Sequence, residues 1–238
     1  MSLLPRAQVA RSDSDSQAPS GERTAERYSL SSELVTLGAD GGRHMHALDS
    51  LVTQIIGRQV EAGRRGLTVC GASKGVGVTF TAGNIAVALS QAGISTLLID
   101  GNLRDPGVSR LIAPEAGALG LLQLLESGDV TRRDVIRGEV LPNLSVIYAG
   151  GNSQEAAELL SSDAFRDLIG GCLRDFAFTV IDTPPANQWT DALTIAKLTG
   201  YALLVARRDQ SFVEDVSTLA QELEKDGVAL VATVMNGA

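Results

Sequence analysis

The spacing of apolar residues divides the chain into three stretches. Residues 1 to about 42 show no sustained period, and Ser, Asp, Gly and Arg dominate there, with SDSDSQAPSGERT at the centre. So few apolar side chains cannot offset the entropy of ordering, and a flexible N-terminal tail is expected over 1–42. From His44 to about Arg64 the residues Met45, Leu48, Leu51, Ile55 and Ile56 recur at helical spacing and predict a leading helix. Beyond it, short apolar runs alternate with helix-length segments: LTVCG at 67, STLLID at 95, NLSVIYA at 143, FTVID at 178, YALLVA at 201 and VALVATVM at 228. That alternation is a βαβ series. Runs apolar throughout suit strands covered on both faces, so 43–238 is expected to form one α/β domain. Its sheet should be mostly parallel, flanked by helices on both sides, with right-handed crossovers. Ligands then bind at the C-terminal strand ends. No internal repeat is visible.

The first strand runs into GASKGVGVTF and then a helical pattern whose inner face is expected to carry Phe80, Ile85, Ala88 and Leu89. Gly71, Gly75 and Gly77 permit tight turns, so that the backbone N–H groups of Ser73, Lys74, Gly75, Val76, Gly77, Val78, Thr79 and Phe80 can converge on phosphate at the positive end of the helix. Two phosphate-binding families share such a loop. GASKGVG is similar to the glycine fingerprint of short-chain dehydrogenases, with Asp100 placed for a ribose hydroxyl. Those enzymes need a Tyr followed four residues later by a Lys that lowers the phenol's pKa. Here Ser32, Asn152 and Val205 follow Tyr28, Tyr148 and Tyr201 at that distance. An NAD(P) oxidoreductase is therefore a remote alternative.

Charge and composition narrow the partners. Twenty Lys and Arg stand against 28 Asp and Glu, a net charge of −8, which argues against general attraction to nucleic acid or anionic lipid. No apolar run approaches the ~18 residues of a spanning helix, and MSLLPRAQVARSD lacks the apolar core of a secretory signal, so a cytoplasmic location without membrane insertion is expected. Cys70 and Cys172 have no metal-ligand spacing and read as packed thiols. His44 and His46 read as helix-surface imidazoles.

Beyond the loop, TLLIDGNLRDP at 96–106, FTVIDTPP at 178–185, TDA at 190–192, LLVAR at 203–207 and the terminal VMNG resemble, in order and spacing, the bacterial tyrosine kinases. These are P-loop proteins related to the division-site and partitioning ATPases, and they work with membrane co-polymerases in capsular and exopolysaccharide export. The resemblance implies ATP or ADP and Mg²⁺ as cofactors, with Thr79, Asp100 and Asp182 around the metal. It assigns Asp100, Asn102, Asp182 and Arg104 to the catalytic set, Arg207 to the phosphates or an interface, and Asn236 to the adenine. The implied partner is the cytoplasmic segment of a membrane polysaccharide co-polymerase, which would recruit the protein to the inner face of the membrane.

The departures from the family pattern carry chemistry. The loop reads Gly77-Val78-Thr79 where the family has G-K-[ST], so the lysine between β- and γ-phosphates is replaced by an apolar side chain. A hydrogen bond to a charged group contributes roughly 1.5–3 kcal/mol, so this loss alone weakens nucleotide affinity on the order of tenfold to a hundredfold. Lys74, one residue past the partitioning ATPases' signature position at Ser73, can offset part of it. The second acid of the family's LLIDxD pattern is Asn102, whose amide cannot take a proton from a tyrosine. The family's E-x-x-R-x-x-R ring motif aligns with His46, Asp49 and Val52, so a monomer or small oligomer is expected in place of a ring. The family's C-terminal tyrosine cluster has no counterpart before VMNGA. These departures point to a member with degenerate kinase activity. An active autokinase and a partitioning-type ATPase remain alternatives.

Overall fold

The structure, a computed structural model, describes residues 28–37, 43–114 and 117–237. In chain order the elements are β1 (Ser29–Leu30), α1 (Arg43–Ile55), β2 (Gly66–Gly71), α2 (Val78–Gln91), β3 (Thr96–Asp100), α3 (Val108–Leu111), β4 (Ile112–Ala113), α4 (Leu121–Glu126), α5 (Arg132–Val135), β5 (Arg137–Leu141), β6 (Leu144–Ile147), α6 (Ala156–Ser161), α7 (Asp163–Asp175), β7 (Phe178–Asp182), α8 (Asp191–Thr199), β8 (Tyr201–Arg207), α9 (Val213–Lys225) and β9 (Ala229–Asn236). Among the described residues the main sheet has seven strands in the order β5-β6-β3-β7-β2-β8-β9, parallel throughout except for β5, which pairs antiparallel with β6. The runs at 67, 96 and 178 are fully buried, because helices cover both faces of the strands they form. The β9 run departs from the expectation. It is the outermost strand, its residues alternate between partial burial and exposure, and Met235 is 61% exposed, since one flank of an edge strand has no neighbour.

Helix α2 crosses behind the sheet's centre and is buried from Thr81 to Ser90, with Ile85, Val87 and Leu89 at the heart of the largest core cluster. Phe80, expected on that inner face, is only half-buried. It lies at the helix start, between the cavity at the strand ends and a second groove beneath α1. A second cluster around Leu97, Ile99, Phe165 and Ile181 fills the other face of the sheet.

Residues 28–37, placed in the flexible tail by composition, are packed, while 1–27 and 38–42 lie outside the described residues. β1 pairs antiparallel with β4, Leu34 is buried, and the arm is tied to α2 by side chains of that helix: Asn84 Nδ2 donates to Glu33 C=O at 3.0 Å and Gln91 Nε2 to Thr36 C=O at 3.2 Å. Gly83 leaves room for Leu111 of α3 against the same helix, since a Cβ there would stand 2.6 Å from Leu111 Cδ1. Among the described side chains of α1, which begin at His46 and so leave Met45 outside, the buried positions are Leu48, Leu51, Val52 and Ile55. Val52 thus faces the core, away from the surface that His46 and Asp49 share; the ring-motif register of the sequence reading does not put all three on one face.

Phe165 is fully buried at the first turn of α7, and Phe165→Ala is expected to cost about 3–5 kcal/mol in urea unfolding, whereas Phe212→Ala, at a position 71% exposed, changes stability by less than ~0.5 kcal/mol. Burial pushes the Cys70 thiol up to about 12. The unfolded thiol titrates near ~8.5, so its contribution to stability is whole below that pH and is lost as pH rises toward the folded value. Between pH 8 and 10.5 the urea midpoint is expected to fall, and to fall less in Cys70→Ala.

Candidate functional site

The loop after β2 turns sharply because its glycines allow it. Gly75 and Gly77 have φ of 81° and 97°, and at Gly71 a Cβ would stand 2.6 Å from Val76 Cγ2 and 2.7 Å from Val78 Cγ2. Val76 is fully buried and anchors the loop to the core, while Val78, at the first turn of α2, is half-buried with a methyl against Gly71. Three consecutive carbonyls of the loop are held from behind. Gln210 Nε2 donates to Lys74 C=O at 2.8 Å, Arg207 Nη1 to Gly75 C=O at 3.1 Å and Asn236 Nδ2 to Val76 C=O at 3.1 Å. Carbonyls fixed on the sheet-edge side leave the loop amides and the N-terminus of a fourteen-residue helix for the cavity side. That cavity, of about 410 Å³, is bordered by Ser73, Lys74, Thr79, Arg110, Thr183 and Trp189, among others.

Beneath it, Asp100 and Asp182 end neighbouring strands and stand directly opposite each other in the β3–β7 register, both fully buried. Asp182 Oδ2 accepts from Thr79 Oγ1 at 2.6 Å, while Asp182 Oδ1 has no hydrogen-bond partner among the described residues. Asp100 is fully engaged: Oδ1 accepts from Asn102 N–H at 3.2 Å, and Oδ2 from Gly107 N–H at 3.0 Å and Val108 N–H at 2.9 Å. Burial raises the Asp100 pKa to about 6 against the pull of those amides, and burial together with the Asp100 charge raises Asp182 well above the ordinary carboxylate range. Two crowded carboxylates, one with an open oxygen beside a threonine hydroxyl, fit a hard divalent cation that completes its shell with water and phosphate. Thr79 and Asp182 would hold Mg²⁺. Asp100, its oxygens taken by three amides, would act by charge and by shaping the turn after β3.

The other sequence candidates divide by position. Ser73, Lys74, Gly75, Gly77, Val78, Thr79, Phe80, Asn102 and Arg104 line the cavity; Gly71 and Val76 lie inside the loop, and Arg207 and Asn236 lie behind it. Asn102 is a turn residue: its Oδ1 accepts from Arg104 N–H and Asp105 N–H, and its Nδ2 donates to Asp105 C=O at 2.8 Å. Arg104 is locked into the cavity wall, where Nε and Nη2 bond the buried Asp191 at 2.9 and 3.4 Å, Nη1 reaches Gln154 C=O at 2.9 Å, and Cζ lies 4.1 Å from the Trp189 ring centre. Sequence reasoning missed Asp105, Arg110, Trp189, Asp191 and Gln210. TDA at 190–192 carried a signal for Asp191, and TLLIDGNLRDP at 96–106 contains Asp105; Arg110, Trp189 and Gln210 lie in segments whose only cue is proximity to the strand ends. Exposed His46 touches none of this, and the described residues contain no cluster of three or more His, Cys, Asp or Glu.

No family model matches the chain. Relatives and solved structures do. The CapB protein of Staphylococcus aureus, which carries a tyrosine-protein kinase name, is 32% identical over 160 residues, covering 67% of this chain and 69% of that one. The tyrosine-protein kinase ptk of Acinetobacter johnsonii is 31% identical over 170 residues, covering 71% of this chain but 23% of its own length, so this chain spans only about a quarter of such longer relatives. The chimerical protein CapA2B2 superposes with a TM-score of 0.76 at 27% identity, over 86% of this chain and 89% of that one. The kinase domain of Escherichia coli tyrosine kinase ETK gives 0.79 at 26%, over 86% and 80%. The septum site-determining protein MinD of Pyrococcus horikoshii, complexed with Mg-ADP, shares the fold at 21% identity, over 72% of this chain and 69% of that one, with a TM-score of 0.61. A mostly parallel α/β sheet, a glycine-rich loop over Thr79 and Asp182, and these similarities agree: the chain belongs to the bacterial tyrosine kinase family.

Proposed function

We propose that this protein binds ATP or ADP with Mg²⁺ at the loop cavity but transfers phosphoryl groups negligibly, and that it serves as the cytoplasmic partner of a membrane co-polymerase in bacterial exopolysaccharide or capsule synthesis. The observation that carries this reading is the asymmetry of the site. Its metal end is complete in Thr79, Asp182 and Asp100, while its phosphate end presents a valine methyl at position 78 and an amide at 102 already committed to Asp105. A metal held there by Thr79 and Asp182 would supply charge neutralisation for phosphate. The chain's own residues hold and orient. Loop amides cradle phosphate, Thr79 and Asp182 fix the metal side, and the Arg104–Trp189 wall bounds the cavity opposite the loop. At position 102, where the family carries its second acid, the Asn102 amide cannot accept a proton from a hydroxyl.

The tyrosines support the same reading. Tyr28 and Tyr148 are buried, and Tyr201 lies half-buried under the Arg64 guanidinium, 4.9 Å from its ring centre, so none stands free to reach a neighbouring active site. The co-polymerase partnership draws support from the resemblance of 44–238 to that family. No helix among the described residues is long and apolar enough to cross a membrane.

Purified protein incubated with Mg-ATP is expected to show no phosphotyrosine at Tyr28, Tyr148 or Tyr201 by mass spectrometry; robust modification that Asp182→Ala abolishes would establish an active autokinase instead. Asp182→Asn relieves a buried like-charge contact while keeping an acceptor for Thr79. It is expected to raise the urea midpoint of the metal-free protein and to lose the thermal stabilisation that Mg-ADP confers on wild type.

A further inference from the structure

Three cationic side chains border the loop cavity, and they differ in what already holds them. Arg104, 11% exposed, is bound to Asp191 and to Gln154 C=O and stacked on Trp189. It is structural. Lys74 and Arg110 are 69% and 67% exposed and share one partner: Asp105 Oδ2 lies 2.9 Å from Lys74 Nζ, and Asp105 Oδ1 lies 3.5 Å from Arg110 Nη1. Lys74 comes from the loop after β2 and Arg110 from α3, beyond the turn after β3, so this carboxylate joins cations from two walls across the cavity mouth.

Ion pairs this exposed contribute little to stability and exchange readily for a ligand of higher charge. The two cations exceed their single carboxylate by one positive charge, in a chain whose net charge is −8. Arg110 also acts electrostatically on both buried carboxylates, which places its charge toward the metal end of the cavity. Ser73 Oγ, on the same rim, is buried and without a hydrogen-bond partner among the described residues, an orphan hydroxyl suited to an anion's oxygen. At the start of α2, the position nearest the helix dipole, Val78 supplies no charge at all.

We propose that Lys74 and Arg110 together form the phosphate clamp of this chain, and that Asp105 is a resident anion which the terminal phosphates of a nucleotide displace. The proposal rests on nucleotide binding at this cavity. No covalent step is involved: two ion pairs to Asp105 are exchanged for ion pairs to phosphate oxygens, and Asp105 turns to solvent. Residues 74 and 110 thereby do, from two separate segments, what a single cation on the helix would otherwise do.

The test uses the full chain, with calorimetry as the primary readout and the fluorescence of Trp189, the sole tryptophan and part of the cavity wall, as the second. The titrants are Mg-ATP, Mg-ADP and adenosine. Lys74→Ala and Arg110→Ala, both at exposed positions, are each expected to weaken Mg-ATP binding roughly tenfold, the worth of a charged contact, and their combination roughly a hundredfold, with adenosine affinity unchanged. Asp105→Asn is expected to tighten Mg-ATP binding severalfold by removing the competing anion. Wild type that binds nucleotide while the single and double variants bind equally well overturns the clamp and leaves the nucleotide site standing. An Asp105→Asn variant that binds more weakly overturns the displaced-anion role. Wild type with no saturable response to either nucleotide overturns the clamp together with the nucleotide reading on which it stands.

Discussion

Two carboxylates forced side by side govern the architecture of the strand ends. Asp100 and Asp182 face each other across β3 and β7 in full burial, where no ion pair among the described residues neutralises either and the Arg110 charge only partly offsets their burial. The surrounding chain is arranged in response. The segment after β3 bends so that three backbone amides point at Asp100, and α2 begins where Thr79 can donate to Asp182. One oxygen is left over, Asp182 Oδ1, and that residual demand links fold to function. On the proposed reading a divalent cation would satisfy it, and metal binding would then be coupled to the stability of the strand ends.

The loop above is shaped from the opposite direction. Its amides can face a ligand only if its carbonyls are occupied elsewhere, and Gln210, Arg207 and Asn236 occupy three in succession. These side chains come from the ends of β8 and β9 and the turn between β8 and α9, toward the more exposed edge of the sheet. The phosphate-facing geometry therefore depends on the integrity of that edge. It also explains why Gly77 tolerates no side chain: the Asn236 amide stands against it.

Set within the bacterial tyrosine kinase family, the site reads as one whose two halves have parted. The end that holds Thr79, Asp100 and Asp182 is buried and hydrogen-bonded, with Asp100 tied to three backbone amides and Asp182 to the Thr79 hydroxyl. At the loop end the helix start is apolar, Val78 being half-buried against Gly71, while positive charge sits on the exposed Lys74 and Arg110 around Asp105.

The sequence by itself determined the alternation of strands and helices, the parallel sheet, the glycine loop and the positions of Thr79, Asp100 and Asp182. Each of these is written in local terms, as an apolar run of strand length, a turn that only glycine permits, or a carboxylate ending a strand. Only the tertiary structure decided matters that turn on partners far away in the chain. Arg104 and Arg110 stand six residues apart and look alike in sequence, yet Arg104 is immobilised by Asp191, 87 residues on, while Arg110 reaches the cavity mouth. Residues 28–37 have a tail's composition but pack, because Asn84 and Gln91 of a distant helix hold their backbone. Val52 turned from a surface ring position to the core, and β9 from a covered strand to an edge, for the same reason: periodicity reports that a residue has an apolar side, and the fold decides what that side meets.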